Sequence, residues 1–159
     1  FRLREILTMP QFSKYSRRRL RTCHPALQKT LHVVIEHYDF SVLEGNRSKK
    51  RQNTLRAKGR SQVSYPDSKH NASRVDGDPD FTKSDAVDIA PYPIQWDETN
   101  RFYVLAGRVQ QAFDQLKKDD EIPSHLNLRW GGDWDGDDTL DDQRFDDLPH
   151  FELISTAHE

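Results

Sequence analysis

The hydrophobic positions of the chain follow two different periods. In ETNRFYVLAGRVQQAFDQLKK (98–118), Phe102, Leu105, Ala106, Val109, Phe113 and Leu116 recur at three- and four-residue steps. That spacing puts them on one stripe of an amphipathic helix. Leu27, Leu31, Val34, Ile35 and Tyr38 repeat the pattern behind Pro25. Proline suits a first helical position, where its missing N–H has no intrahelical partner to lose. A helix is therefore predicted over 25–38, with a shorter one before it. SKKRQNTLRAKG (48–59) reads as another short helix, stopped by Gly59, whose missing Cβ suits a left-handed cap.

Elsewhere the apolar residues come in short runs bounded by turn residues, the pattern of strands. DFSVLEG (39–45), DAVDIAPY (85–92), LNLRW (126–130) and HFELI (150–154) fit it. Residues 60–85 and the segment GGDWDGDDTLDDQRFDD (131–147) lack either period and read as loops. Helices come early and strands late, joined by turns or by one long helix. This predicts an α+β domain, with helices packed on a short antiparallel sheet.

A length of 159 residues predicts one domain. The mean hydropathy is -0.94, and 31% of residues are charged. The 8 Phe, 5 Tyr and 3 Trp supply enough bulk for one small core with solvated loops. Residues 1–12 read as a tail ahead of a domain at 13–159. Met9 is the only methionine, so residues 1–8 are expected to precede the natural start. No apolar run is long enough to span a bilayer. FRLREILTMPQF has no secretory core, which predicts that the protein either stays in the cytosol or is released by some other route.

Cys23 is the single cysteine, which excludes an internal disulfide and a multi-cysteine zinc site. Beside His24 it reads either as a nucleophile or as a small buried hydrophobe. The net charge of -2 hides a segregation. Residues 1–74 carry 17 Lys and Arg against 5 Asp and Glu, whereas the remainder carries 7 against 21. The basic half could meet an anionic polymer, and the acidic half could hold cations or pair with the basic one.

Three residues stand where a charged or imidazole side chain is unusual. Asp88 lies inside the apolar AVDIA, His150 inside LPHFEL, and His70 in PDSKHN before the long loop. A carboxylate in a strand core is costly unless it is paired or bound to a cation. Two histidines and one aspartate are the ligand count of a catalytic zinc with one open position. An unbound carboxylate nearby would then serve as general base, and Asp147, three residues before His150, suits that role. Each residue alone also reads as a satisfied structural group, and no HExxH motif is present.

Four ordered stretches, FSVLEGNRSKKRQ, SKH, AVDIAPY and DLPHFEL, together resemble the zinc peptidases of bacterial cell-wall stem peptides. These form the D-alanyl-D-alanine carboxypeptidase and VanY-like group of the lysostaphin/D-Ala-D-Ala/hedgehog superfamily. The chain is most similar to phage endolysins of the L-alanyl-D-glutamate endopeptidase type. MPQFSKYSRRRLRTCHPALQ and LRWGGDWDG extend the resemblance over residues 9–154.

The resemblance implies a zinc ion held by His70, Asp88 and His150, with Asp147 as general base. It implies an oxyanion-stabilising role for Arg47, and places Ser68 and Gln52 near the substrate. It implies peptidoglycan as the substrate, attacked by a monomer after release from the host cytoplasm. Relatives bring the aspartate much closer to the first histidine. The extra length here falls at about 72–84 and reads as a loop insertion, which costs little entropy when both ends are anchored.

Asp76, Asp78 and Asp80, and Asp133, Asp135 and Asp137, alternate near glycines as in calcium loops, yet neither run has the closing glutamate of an EF-hand. Each reads either as a solvated acidic surface or as a Ca2+ site. Three other functions remain open on sequence: a D-alanyl-D-alanine carboxypeptidase, a non-catalytic metal-binding module, and a nucleic-acid binder using SRRRLR and RSKKRQNTLRAKGR. No nucleic-acid fold signature accompanies those basic runs.

Overall fold

The computed structural model describes residues 9–156. Its elements run α1 (Lys14–Leu20), α2 (Pro25–Ile35), β1 (Phe40–Glu44), α3 (Lys49–Ala57), β2 (Ala86–Pro91), α4 (Thr99–Lys118), β3 (Leu126–Gly131) and β4 (Asp147–Ser155). The four strands form one antiparallel sheet in the order β1-β2-β4-β3. This is the α+β architecture that the two periodicities predict. The start expected at Met9 concerns residues 1–8, which lie outside the described residues.

Strand alternation divides the sheet into two faces. Val87 and Ile89 of β2, Phe151 and Leu153 of β4, and Leu126, Leu128 and Trp130 of β3 turn to one side, into the core. There they meet Leu105, Val109 and Phe113 of α4 and Leu27, Leu31 and Val34 of α2. The residues between them, Asp88, His150, Glu152 and Arg129, belong to the opposite face. Phe12, placed in the tail by the sequence, is instead buried edge-on against Phe40 and His32.

Helix boundaries follow local chemistry. Ser13, His24 and Ser48 cap α1, α2 and α3, each accepting a backbone N–H with its side chain. α2 stops at Ile35, short of the expected 38, and Tyr38 packs on the core from the turn that follows. β4 is the larger departure. The sequence predicts it from His150, with Asp147 in a preceding turn, but the strand begins at Asp147 itself. Trp130 pairs with Phe151 while its neighbour Gly131 pairs with Asp147, so Leu148, Pro149 and His150 bulge out of the ladder. Pro149 has no N–H to donate and is tolerated there because the bulge asks for none. Trp130 Nε1 donates to Leu148 O at 2.8 Å and pins the bulge.

Candidate metal centre

Cross-strand register brings the predicted residues together. Asp88 of β2 lies directly opposite His150 of β4. His70 arrives from the 58–85 connection between α3 and β2 and is buried. His70 Nε2 lies 3.3 Å from both His150 Nδ1 and Asp88 Oδ1, and His150 Nδ1 lies 3.1 Å from Asp88 Oδ1. Three atoms, each carrying a lone pair, thus face one point, and they form a group able to hold a metal ion. Three lone pairs alone would repel, so a proton or a metal cation must be drawn between them.

The outer nitrogens show how the rings are aimed. His70 Nδ1 lies 2.8 Å from Gly45 O, which can only accept, so Nδ1 carries the proton and Nε2 turns its lone pair inward. His150 Nε2 lies 3.5 Å from Glu152 Oε2, so a carboxylate faces the outer nitrogen of this ring as an ionic partner. Burial acts to raise the Asp88 carboxyl, but the adjacent His70 and His150 outweigh it and hold Asp88 well below the ordinary carboxylate range. Burial acts to lower His150, but Asp88 and Glu152 push it up to about 9. Glu152 in turn lies at about 2, because His150 and Arg129 outweigh its burial.

Arg47 sits at the edge of this cluster. Its Nη2 lies 3.2 Å from Asp88 Oδ2 and its Nη1 donates to Gln52 Oε1 at 3.3 Å. Its Nε is 2.9 Å from Glu44 Oε1 but poorly aligned for a hydrogen bond. The Arg47 backbone N–H donates to His70 O at 2.6 Å, which ties the two residues together. Gln52 is fully buried beneath Arg47, and its amide donates to Ser61 Oγ and Val63 O. Ser68 Oγ accepts the His70 backbone N–H at 3.2 Å.

A cleft of about 530 Å³ opens over the cluster. Arg47, Ser68, His70, Asp147 and His150 line it, with Trp134 and Phe145 from the 132–146 loop. On a regular strand, Asp147 and His150 would point to opposite faces. The bulge re-aims them into one cleft. Asp147 is half-buried, and its burial raises its carboxyl above the ordinary value despite the pull of His150.

Other predicted residues fall elsewhere. Cys23 is fully buried in the core and its thiol is pushed up to about 12, chiefly by burial, so it reads as the small hydrophobe. The 72–84 loop does not line the cleft. It folds onto the α1–α2 junction, where Asp76 contacts the buried His24. Asp133, Asp135 and Asp137 do cluster, but Asp133 accepts the backbone N–H groups of Gly136, Asp137 and Asp138. That capping accounts for its burial without an ion. Asp78 likewise caps Asp80 and Lys83.

Sequence reading missed Glu152, although its two-residue offset from His150 predicts a shared face. Two further residues were missed. One is Gly45, whose carbonyl aims His70. The other is Asp85, which is buried and accepts the backbone N–H groups of Arg74 and Val75.

The family model for phage L-alanyl-D-glutamate peptidase matches residues 9–154. The chain belongs to this family. The member is therefore a peptidase, as the four motifs predict. It is also similar to the crystal structure of the Serratia marcescens L-Ala D-Glu endopeptidase ChiX, with a TM-score of 0.66 and 26% identity. That match covers 93% of this chain and 92% of the other, so this peptidase spans most of that fold. Among curated proteins, none matches the chain. Among the described residues of the peptidase, no helix is long and apolar enough to cross a membrane.

Proposed function

We propose that this peptidase is a zinc-dependent endolysin that hydrolyses the L-alanyl–D-glutamate bond of the peptidoglycan stem peptide. The carrying observation is the near-equilateral triangle of His70 Nε2, Asp88 Oδ1 and His150 Nδ1, with edges of 3.1 to 3.3 Å. A tetrahedral ion with bonds of about 2.0 Å to nitrogen and oxygen has ligand–ligand edges of about 3.3 Å. Two imidazole nitrogens and one carboxylate oxygen also match the donor chemistry that zinc takes at catalytic centres. Bound there, zinc supplies a Lewis acid for the scissile carbonyl and a water acidified toward a pKa of about 7.

Asp147 is the general base in this reading. It lines the same cleft, and its raised proton affinity suits it to take a proton. It removes the proton of the attacking water and returns it to the D-glutamate amine as the peptide bond breaks. Arg47 donates to the carbonyl oxygen as negative charge develops on it, and its rigid planar fork stays charged throughout. Gln52 acts from below by holding Arg47, and Ser68 sets the turn that presents His70 while lining the substrate cleft. The 72–84 insertion anchors on His24 and leaves the cleft open. Action as a monomer is part of this reading. Membership of a phage family supports action on the host wall after synthesis in the host cytoplasm.

The deciding experiment digests purified peptidoglycan with the zinc-loaded chain and identifies new termini by mass spectrometry. New N-terminal D-glutamate supports the proposal. Release of free D-alanine instead assigns a D-alanyl-D-alanine carboxypeptidase, and no new termini overturns both.

A further inference from the structure

The sheet face that carries the metal centre continues one residue pair beyond it. Arg129 of β3 lies directly opposite Glu152 of β4. Its Nε and Nη2 both reach Glu152 Oε1, at 2.7 and 2.5 Å. The other carboxylate oxygen, Oε2, lies 3.5 Å from His150 Nε2. Glu152 is buried while Arg129 is half-exposed. Arg129 also lies over the Trp134 ring, 5.8 Å from its centroid, and that ring is 5.6 Å from His150. The four side chains therefore close a circuit from the metal-facing imidazole, through a carboxylate and a guanidinium, to the cleft wall.

We propose that Glu152 is a positioning residue for metal binding, and that Arg129 holds it in place from the Trp134 wall. This rests on the zinc reading above. Glu152 keeps the His150 proton on Nε2, which leaves Nδ1 free for the ion and fixes the ring plane. Loss of the group that orients a ligating histidine typically weakens metal affinity about 10- to 100-fold. Arg129 neutralises the buried carboxylate and spends both donors on one oxygen, so the second stays available to His150. Trp134 carries the link to the loop: its backbone N–H donates to Gln143 Oε1, and its indole N–H donates to Phe145 O. The wall that would meet substrate is thus joined to the ring that would meet the metal.

The test measures zinc affinity by chelator competition, which needs no turnover. Two variants are compared with the parent. Glu152→Gln keeps one oxygen acceptor, which serves Nε2–H while the half-exposed Arg129 is left to solvent. The double variant Arg129→Met/Glu152→Met replaces the ion pair with apolar side chains of similar length, a change that buried pairs often tolerate without loss of stability. Thermal melting of the zinc-stripped proteins reports folding. The expected result is a folded double variant whose zinc affinity falls about 10- to 100-fold, with Glu152→Gln staying within a few-fold of the parent. A folded double variant with parental affinity overturns the proposal. So does a Glu152→Gln affinity as low as the double variant's, or a double variant that fails to fold while Glu152→Gln binds zinc less than a tenth as tightly as the parent. A double variant that fails to fold while Glu152→Gln stays within tenfold of the parent supports it. Parental protein that takes up no zinc overturns the functional reading and this inference with it, and so is told apart from the other outcomes.

Discussion

His70 Nδ1 donates its proton to the carbonyl oxygen of Gly45 at 2.8 Å, across 25 residues of sequence. The position of that carbonyl depends on glycine. A Cβ on Gly45 would lie 2.4 Å from Thr22 Oγ1, 2.5 Å from Arg19 O and 2.9 Å from Cys23 Sγ. The chain after β1 therefore presses against the α1–α2 junction with no room for a side chain. Gly45→Ala is expected to cost about 1–3 kcal/mol of stability, the usual cost of overpacking. It should also weaken zinc binding, because the carbonyl that aims His70 must move. Denaturant midpoints and chelator competition measure the two effects, and parental zinc affinity in a destabilised Gly45→Ala protein would show that this carbonyl does not orient the ring.

Asp147 carries the pH dependence of the proposed reaction. Its carboxyl is raised above the ordinary value, and a base works only when ionised. Activity must therefore rise with pH through the raised pKa, and the acid limb of kcat/KM should lie above the ordinary carboxylate range of about 3.9. Asp147→Asn is expected to retain zinc and to lose about 10²–10⁴-fold in kcat. A variant with an unchanged acid limb would assign that limb to another group and remove Asp147 as base.

Much of this site was legible because its chemistry contradicts its surroundings. Asp88 in AVDIA and His150 in LPHFEL stand out against apolar neighbours, and strand register then sets them face to face. Glu152 and Arg129 carried the same strand-period signal, but a charged residue on a strand also fits a solvated face. The bulge at Leu148–His150 was not legible. A strand pattern assumes an unbroken ladder, and only the pairing of Gly131 with Asp147 reveals the break. Asp85 was hidden because its partners are backbone N–H groups of a loop with no periodic pattern.

The 72–84 loop is expected to contribute to stability and not to turnover. His24 Nδ1 accepts the Ala26 N–H at 2.9 Å, so the ring N–H is on Nε2, facing Asp76. The loop lies against that junction and not over the cleft. Asp76→Ala removes the partner of a buried ring and should cost about 1 kcal/mol, the net worth of one hydrogen bond. The denaturant midpoint should fall while kcat/KM on peptidoglycan fragments stays unchanged. A changed kcat/KM at saturating zinc would show that the loop reaches the substrate after all.

Gly131 is the position where the bulge can be tested directly. It pairs with Asp147, and a Cβ there would lie 2.1 Å from Asp147 O, with Asp147 Cβ itself at 2.9 Å. Both neighbours belong to the residue assigned as base, and a strand backbone held by Trp130 Nε1 on Leu148 O cannot yield without moving Asp147. Gly131→Ala should therefore displace the carboxylate while leaving His70 and Asp88 in place. Misplacing a catalytic group by about 1 Å can cost about 10²-fold in rate. The expected outcome is a kcat lowered by about that factor, with KM and zinc affinity near the parental values, because the pairing of Asp88 with His150 lies on the other edge of β4. Steady-state kinetics beside chelator competition separates the two. A parallel fall in zinc affinity would mean that the bulge positions His150 as much as Asp147, and that base and metal centre cannot be disturbed one at a time.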